Sequence, residues 1–597
     1  MADSPSKNKD RVLACSVYCN GSKLKDAYSL VAASIELELN RIGKASLKFN
    51  AGNMDKQLFD ESDDSLFKPG TSIRIDAGSV EKEDTLFEGK IVGVRIFTDN
   101  DFRSYMEVEC RDLAFFATQG RKNRIFEKQT DSDIIKEVLK DYGNVKVDTT
   151  QFQYPTLVQY YCTDWDFALS RADACGFFVS TDGKDILVKK PDVSAAPVLT
   201  VTYGSDIIVF DLELSSHDQF EQYEAVSWCA KTQQSVKVSA ALPNLNKQGD
   251  LQPKDIALKA NKLLQTDAPT DEKALKQWAE GMALKAGLSR YQGVVSFYGS
   301  SKVKPGCIIE LKGLGKRFNG NLFVGSVRHT IIDNEWITEV GAGVTPQNIT
   351  DSVDVVSPSA SGFIPGLQGL HSAIVKKLDG DPLKECRIQV ELPWMDGKSK
   401  LLWARMTSMY ASNAVGSYFM PEIGDEVVVA FMNQDPIHPV ILGSLYGEKH
   451  LPPYEYEAKN NTKAIVTREK MRVEFNEEKK EITISTPGEN KMVISDDAKS
   501  IVLTDQHKNE VRMDDGGITL TSAKDIILKA KGEITLDAAT KINGTAKSDI
   551  SLEGANVTVQ KQSPLRQRRL PLQKPRRPPL RKPRNRSGGS TAMCLAM

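Results

Sequence analysis

Between residues 518 and 557 apolar side chains recur on a strict beat of eight. Ile518-Thr-Leu520, Ile526-Ile-Leu528, Ile534-Thr-Leu536, Ile542-Asn-Gly544 and Ile550-Ser-Leu552 start eight residues apart, and Val557-Thr-Val559 follows at seven. An apolar–polar–apolar triplet is strand periodicity, with both apolar side chains on one face. Eight residues hold one strand and one turn, which cannot enclose a core alone, so copies must stack or chains must wrap around one another. A solenoid coil uses about twenty or more residues to circle a core. One octet is therefore one side of such a coil, and three chains supply three sides. Each buried Ile or Leu is worth roughly 1.5–3 kcal/mol, so about nine anchors per chain give tens of kcal/mol before entropy is subtracted. Exposed in a monomer, the same stripe is an aggregation hazard. The segment reads as an obligate homotrimeric β-helix needle. Its core is Ile518, Leu520, Ile526, Leu528, Ile534, Leu536, Ile542, Ile550, Leu552 and Val557. An antiparallel meander with short turns is the alternative.

Upstream the beat loosens. Ile482-Thr-Ile484, Met492-Val-Ile494, Ile501-Val-Leu503 and Val511-Arg-Met513 keep the triplet at spacings of nine or ten. Pro487-Gly488, Asp496-Asp497 and Gly516-Gly517 lie between them as turn signals. These strands read as the base of the needle or as broader strands leading into it.

The first 345 residues mix strands with three helices. Alternation at Ile35, Leu37 and Leu39, at Ala45, Leu47 and Phe49, and around Ile73, Phe87 and Val108 predicts a barrel or sandwich over 10–120. Thr130 caps a helix whose stripe is Ile134, Ile135, Val138, Leu139 and Tyr142, with Gly143 as its stop. A second helix runs from Asp164 to Ala174 and ends at Gly176. A third spans Asp271 to Ala286. Strands return at 292–298, 307–311, 322–332 and 336–340. Residues 180–345 are thus as β-rich as 10–120, enough for two barrels. Residues 346–369, with Ser357-Pro-Ser-Ala-Ser-Gly, form the linker. Beyond it, Cys386–Leu392, Leu402–Met406, Ser417–Phe419, Glu426–Phe431 and Pro439–Gly443 are five short strands in about 75 residues, which fits a small OB-type barrel over 370–450. A polar neck, 451–480, leads to the needle, 481–559. The fold class is mainly β.

Bulk properties narrow the function. At 597 residues the chain holds roughly four domains. Its formal net charge of −1 gives no basic excess for nucleic acid. No apolar run is long enough to span a membrane, and the start, MADSPSKNKDR, has no apolar signal core. The expectation is synthesis in the cytoplasm and export by some route other than the general secretory one. Nine scattered Cys read as buried thiols.

The barrel carries the sharpest motif: Tyr418-Phe-Met-Pro421-Glu-Ile-Gly424-Asp425-Glu426, then Phe431-Met-Asn433-Gln-Asp435-Pro436, then Gly443-Ser444. It is similar to the OB signature of the VgrG family, the spikes of type VI secretion systems. Arg387-Ile-Gln-Val-Glu-Leu-Pro393-Trp394 resembles that family's first barrel strand. Phe87-Glu-Gly89, Cys110-Arg111-Asp-Leu113, Arg124-Ile-Phe126, Tyr160-Tyr161-Cys162-Thr-Asp164-Trp165 and Arg328-His329 resemble its hub. The likeness covers about residues 10–560 in the order hub, barrel, needle. It implies a homotrimer that caps the Hcp tube hexamer, carries a PAAR-repeat cone at its tip, touches baseplate proteins, bears effectors and crosses a target membrane transiently. The same part in a contractile phage tail or an extracellular injection particle is the alternative, as is a spike with effector activity of its own.

No catalytic constellation, cofactor motif or metal cluster is evident, so the chain reads as no enzyme. Gly313-Leu-Gly315-Lys316 through Gly320 fits neither a Walker loop nor GxGxxG and reads as a hairpin turn. Asp435 near His438 reads as turn chemistry. Trp165, Trp394 and Trp403 read as core or interface anchors. After residue 560 the pattern breaks: Gln560 to Arg586 holds roughly ten Lys and Arg, six Pro and no acid. Pro cannot extend the needle. The tail, 560–597, reads as a disordered tail, as a basic arm for an acidic effector or anionic lipid, or as the product of a frameshift, since Arg, Pro, Leu and Gln codons slide by one base into Ala-rich reading.

Overall fold

The computed structural model describes residues 3–5, 12–240, 242–352, 355–396 and 398–560. They form two compact units that divide between Leu451 and Pro452. The chain is mainly β, as its alternation predicts. The basic tail beyond residue 560 lies outside the described residues.

In the first unit thirteen strands of the N-terminal half build one sheet, beside one two-stranded and two three-stranded sheets. Two separate cores sit on it. One gathers Ile35, Leu47, Phe49, Ile75, Ile91 and Met106; the other gathers Val201, Val295, Phe297, Ile309, Leu322 and Val340. Two β-rich halves are therefore present, but they are not independent sheets. Strand Gly320–Ile332 pairs with Glu335–Ala342 on one side and with Leu30–Glu38 on the other. At thirteen residues it is long enough to serve both cores. Leu322, Val324 and Val327 lie in the second core and Ile331 in the first. A register shift between Val324 and Ser326 changes the parity of the strand, so Val324, Val327 and Ile331 all point inward.

Three helices longer than one turn stand out among the described residues of this unit. In α1 (Asp131–Leu139) the Thr130 side chain accepts from the Asp133 amide and the Asp133 carboxylate closes a capping box. The helix ends at Leu139, before Gly143, because Asn144 must already be extended to enter a strand, Asn144–Val147, parallel to Asp185–Lys189. In α2 (Asp164–Cys175) Gly176 takes the left-handed C-cap at φ 67°. In α3 (Glu272–Leu288) Leu275, Ala279, Ala283 and Ala286 pack on Tyr223, Ala225, Val238 and Leu264 of a three-stranded sheet. Helices α2 and α3 meet backbone to backbone. A Cβ placed on Gly281 would stand 2.8 Å from the Gly176 nitrogen.

The expected linker starts pinned rather than free. The buried Lys285 ammonium donates to Asp173 at 2.9 Å, to the Gln347 carbonyl at 2.6 Å and to Asn348 at 3.2 Å. The other Asp173 oxygen accepts from the Ile349 amide at 2.8 Å.

The barrel is closed, in the order His371–Lys377, Arg387–Glu391, Leu401–Met406, Pro439–Ser444, Glu426–Phe431. Two expectations change here. Ser417–Phe419 is not a strand. Its place is taken by His371–Lys377, whose Ala373 and Val375 are wholly buried. Arg387–Glu391 is accordingly the second barrel strand, not the first. Residues 417–419 are held in a loop, where the Ser408 hydroxyl donates to the Ser417 carbonyl at 2.8 Å.

The second unit opens with a seven-stranded antiparallel meander: Thr462–Val466, Arg472–Asn476, Glu481–Ser485, Lys491–Ser495, Ser500–Thr504, Glu510–Asp514 and Gly517–Thr521. It starts inside the stretch expected to be a polar neck, and the first octet triplet, Ile518 to Leu520, is its last strand. From 522 to 560 the single chain forms no strand among the described residues. Its bends begin at 523, 531, 539, 547 and 554, which repeats the beat of eight and the final step of seven.

Candidate functional site

Antiparallel register aligns the apolar side chains of the meander in two rows on one face. Phe475, Ile482, Ile494, Ile501, Met513 and Ile518 lie opposite one another across successive strands. Two residues along, Ile465, Val473, Ile484, Met492, Leu503, Val511 and Leu520 form the second row. The other face carries Val493 and Val502 but is otherwise mostly polar, with its polar groups paired within the chain. Thr483, Ser485 and Ser495 are buried there. Arg472 Nε donates to Ser485 Oγ at 2.9 Å, and Arg512 Nε lies 3.0 Å from Glu510. Tyr454 donates to Glu474 at 2.6 Å. Desolvation, then that bond, pushes its pKa up.

The apolar face has no such cover. Ile465, Phe475, Ile484, Leu503 and Leu520 are all exposed in the single chain. A cleft of about 640 Å³ runs over Ile484, Met492, Leu503, Val511, Leu520 and Ile526, where the meander passes into the octets. Every residue of the expected needle core is exposed, from Ile534 at 51% to Leu552 at 74%. Ile518 and Leu520 belong to the meander. Ile526, Leu528, Ile534, Leu536, Ile542, Ile550, Leu552 and Val557 continue beyond it. A polar face that is internally paired and an apolar face left to water is the signature of a surface built to be covered. Sequence reasoning missed the first two strands of this surface, although the alternation of Ile465, Val473 and Phe475 signals them.

The barrel motif residues are scaffolding. Pro421 is buried. Gly424 sits at φ 99° and its amide donates to the Val375 carbonyl at 2.9 Å. Asp425 accepts from the Glu422 amide at 2.8 Å and closes the turn into Glu426. Asp435 accepts from the Ile437 amide across Pro436, and its other oxygen lies 3.1 Å from His438 Nδ1. Gly443 pairs with Val428 beside a register shift. Asp381 binds Arg387 Nη2 at 2.6 Å and the Leu383 and Glu385 amides, and Arg387 above all holds its carboxyl well below the usual carboxylate range.

Several titratable groups of the hub are held in its core. Asp112, within the motif Cys110-Arg111-Asp-Leu113, accepts from the Gly43 amide at 2.6 Å, the Ala114 amide at 2.9 Å and the Thr181 hydroxyl at 2.7 Å, and so ties three segments together. Burial pushes its pKa up. Burial also keeps the Cys15 thiol protonated, at about 12. Burial lowers His329 to about 4. Its Nδ1 accepts from Trp336 Nε1 at 3.3 Å and lies 3.0 Å from Thr338 Oγ1. Trp165 is a core residue, whereas Trp394 is half exposed and stacks near His371. Gly313–Gly320 connects two antiparallel strands, with Asn319 accepting from the Leu314 amide at 2.8 Å. Among the described residues no group of three or more His, Cys, Asp or Glu is placed to hold a metal.

Three family models match. Residues 9–333 match the Alg8 N-terminal domain. Residues 371–446 match the type VI secretion system/phage-baseplate injector OB domain. Residues 481–563 match the phage baseplate V C-terminal trimerisation domain. Over 410 residues the chain is 23% identical to type VI secretion system spike protein VgrG1b of Pseudomonas aeruginosa, covering 62% of this chain and 53% of that one. It is 27% identical over 150 residues to spike protein VgrG1c of the same organism, covering 23% of this chain and 21% of that one. The chain thus spans about half the length of VgrG1b and about a fifth of VgrG1c. Among solved structures, the 43 kDa tail protein of prophage MuSo2 from Shewanella oneidensis superposes with a TM-score of 0.43 at 12% identity, covering 56% of this chain and 98% of that one.

Proposed function

The chain belongs to the family of VgrG-type spikes of injection machines, with an Alg8 N-terminal domain over more than half its length, and we propose that its work is mechanical. Three copies join their uncovered apolar faces into one needle, so that the rows from Ile465 to Leu520 and the octets from Ile526 to Val557 become a shared core. The hub caps the inner tube, an Hcp hexamer, and meets baseplate proteins. The needle carries a PAAR-repeat cone and effectors, and contraction of the machine drives it out of the producing cell and through a target membrane. The proposal assigns the chain no reaction of its own. A rigid hydrogen-bonded hub and a cooperative trimer suit a part that transmits force.

One observation supports this most: the apolar face that spans seven strands and continues into the octets with nothing among the described residues of its own chain to cover it. Sedimentation of the purified chain tests it. A mass of three chains is the expected result, and a stable monomer overturns the reading. A machine of the phage-tail type uses the same part. Membrane-complex genes beside this one favour secretion, and capsid or lysis genes favour a phage tail.

A further inference from the structure

The loop between barrel strands Leu401–Met406 and Glu426–Phe431 is exposed and largely apolar. Met409 is 90% exposed and Tyr418 83%, and Tyr410, Val415, Phe419 and Ile423 are each more than half exposed. From Ser408 to Gly424 the only formal charge is Glu422. The loop is also fixed in shape. Ala411 and Ser412 pair with Gly416 and Val415 in a small hairpin. The Ser417 amide donates to the Tyr410 carbonyl at 2.8 Å, and the Ser408 hydroxyl donates to the Ser417 and Tyr410 carbonyls. Buried Pro421 anchors the far end. An apolar surface held rigid in advance loses little conformational freedom when covered, which is what an interface requires.

Chain length brings a second copy within reach of the loop. Residues 445–461 are all that separates the last barrel strand from the first meander strand. Fully extended they reach at most about 60 Å. When three chains merge along the trimerisation segment, three barrels are held at high effective concentration on these tethers, and each loop has two identical neighbours within reach. We infer that the Ser408–Gly424 loop of one copy docks on the barrel of the next copy, as a ring of three head-to-tail contacts. This rests on the trimer proposed above. A three-fold arrangement requires the loop to meet a different face of its neighbour rather than its own counterpart.

Hydrogen exchange on the full chain tests it, read at the amides of 409–420. The reference is Leu528→Asp with Leu536→Asp, which leaves the barrel untouched and removes the shared core. The expected result is exchange slowed by about tenfold or more in the wild-type trimer relative to the monomeric reference. Tyr418→Asp with Phe419→Asp should keep the mass of a trimer and lose that slowing, since both side chains are exposed in the single chain and the barrel does not need them to fold. A wild-type trimer whose loop exchanges as fast as the monomeric reference overturns the docking while the trimer stands. A wild-type monomer overturns both.

Discussion

His329 shows how one buried side chain makes the hub sensitive to acid. The folded hub holds it neutral down to about pH 4, whereas in the unfolded chain it takes up a proton below about 6.5. The unfolded state binds more protons between these limits, so stability falls as pH drops from about 6.5 to about 4 and stops falling below that. The slope is about 1.4 kcal/mol per pH unit. Denaturant midpoints of wild type and His329→Gln across that window measure it, and an unchanged slope in the variant would refute the assignment. Lys285 is a second such residue. Lys285→Ala leaves Asp173 buried without its cation and should destabilise the hub by about 3–5 kcal/mol, read from the hub's unfolding transition. At this scale the sequence was legible only where the chemistry is local. Thr130 announces its helix as a cap beside Asp131 and Asp133. Lys285 and Asp173 are 112 positions apart, and nothing in either neighbourhood names the other.

Elements were legible in proportion to the strength of their period. All three helices follow from periodicity, and Gly176 marks the end of α2; beyond Leu520 the octet beat returns in the single chain as bends rather than strands. The first barrel strand, His371–Lys377, escaped because Ala373-Ile374-Val375 is a short apolar run without alternation, while the aromatic run at 418–419 imitated a strand. The rows of the meander depend on register, which spacing suggests and only pairing fixes. The crossing of α2 and α3 depends on two glycines facing each other across the fold. Gly281→Ala should lower the hub's melting temperature. Helix propensity favours alanine by at most about 1 kcal/mol. The added Cβ would meet backbone at 2.8 Å, which cannot rotate away, and overpacking of this kind costs about 1–3 kcal/mol.

The whole molecule is organised by what a single chain leaves open. In the proposed trimer Ile534→Asp with Leu536→Asp puts carboxylates on the needle axis three times over, and the expected outcome is loss of the trimer on sedimentation with the hub still folded by circular dichroism. A trimer that survives both changes would place those side chains outside the core. The first unit follows the opposite logic, since its two apolar cores share the strand Gly320–Ile332. Removing either core strips that strand of half its packing and leaves the other half tethered to a frayed edge. The two halves of the hub therefore melt together, in one calorimetric transition whose van't Hoff enthalpy reports both.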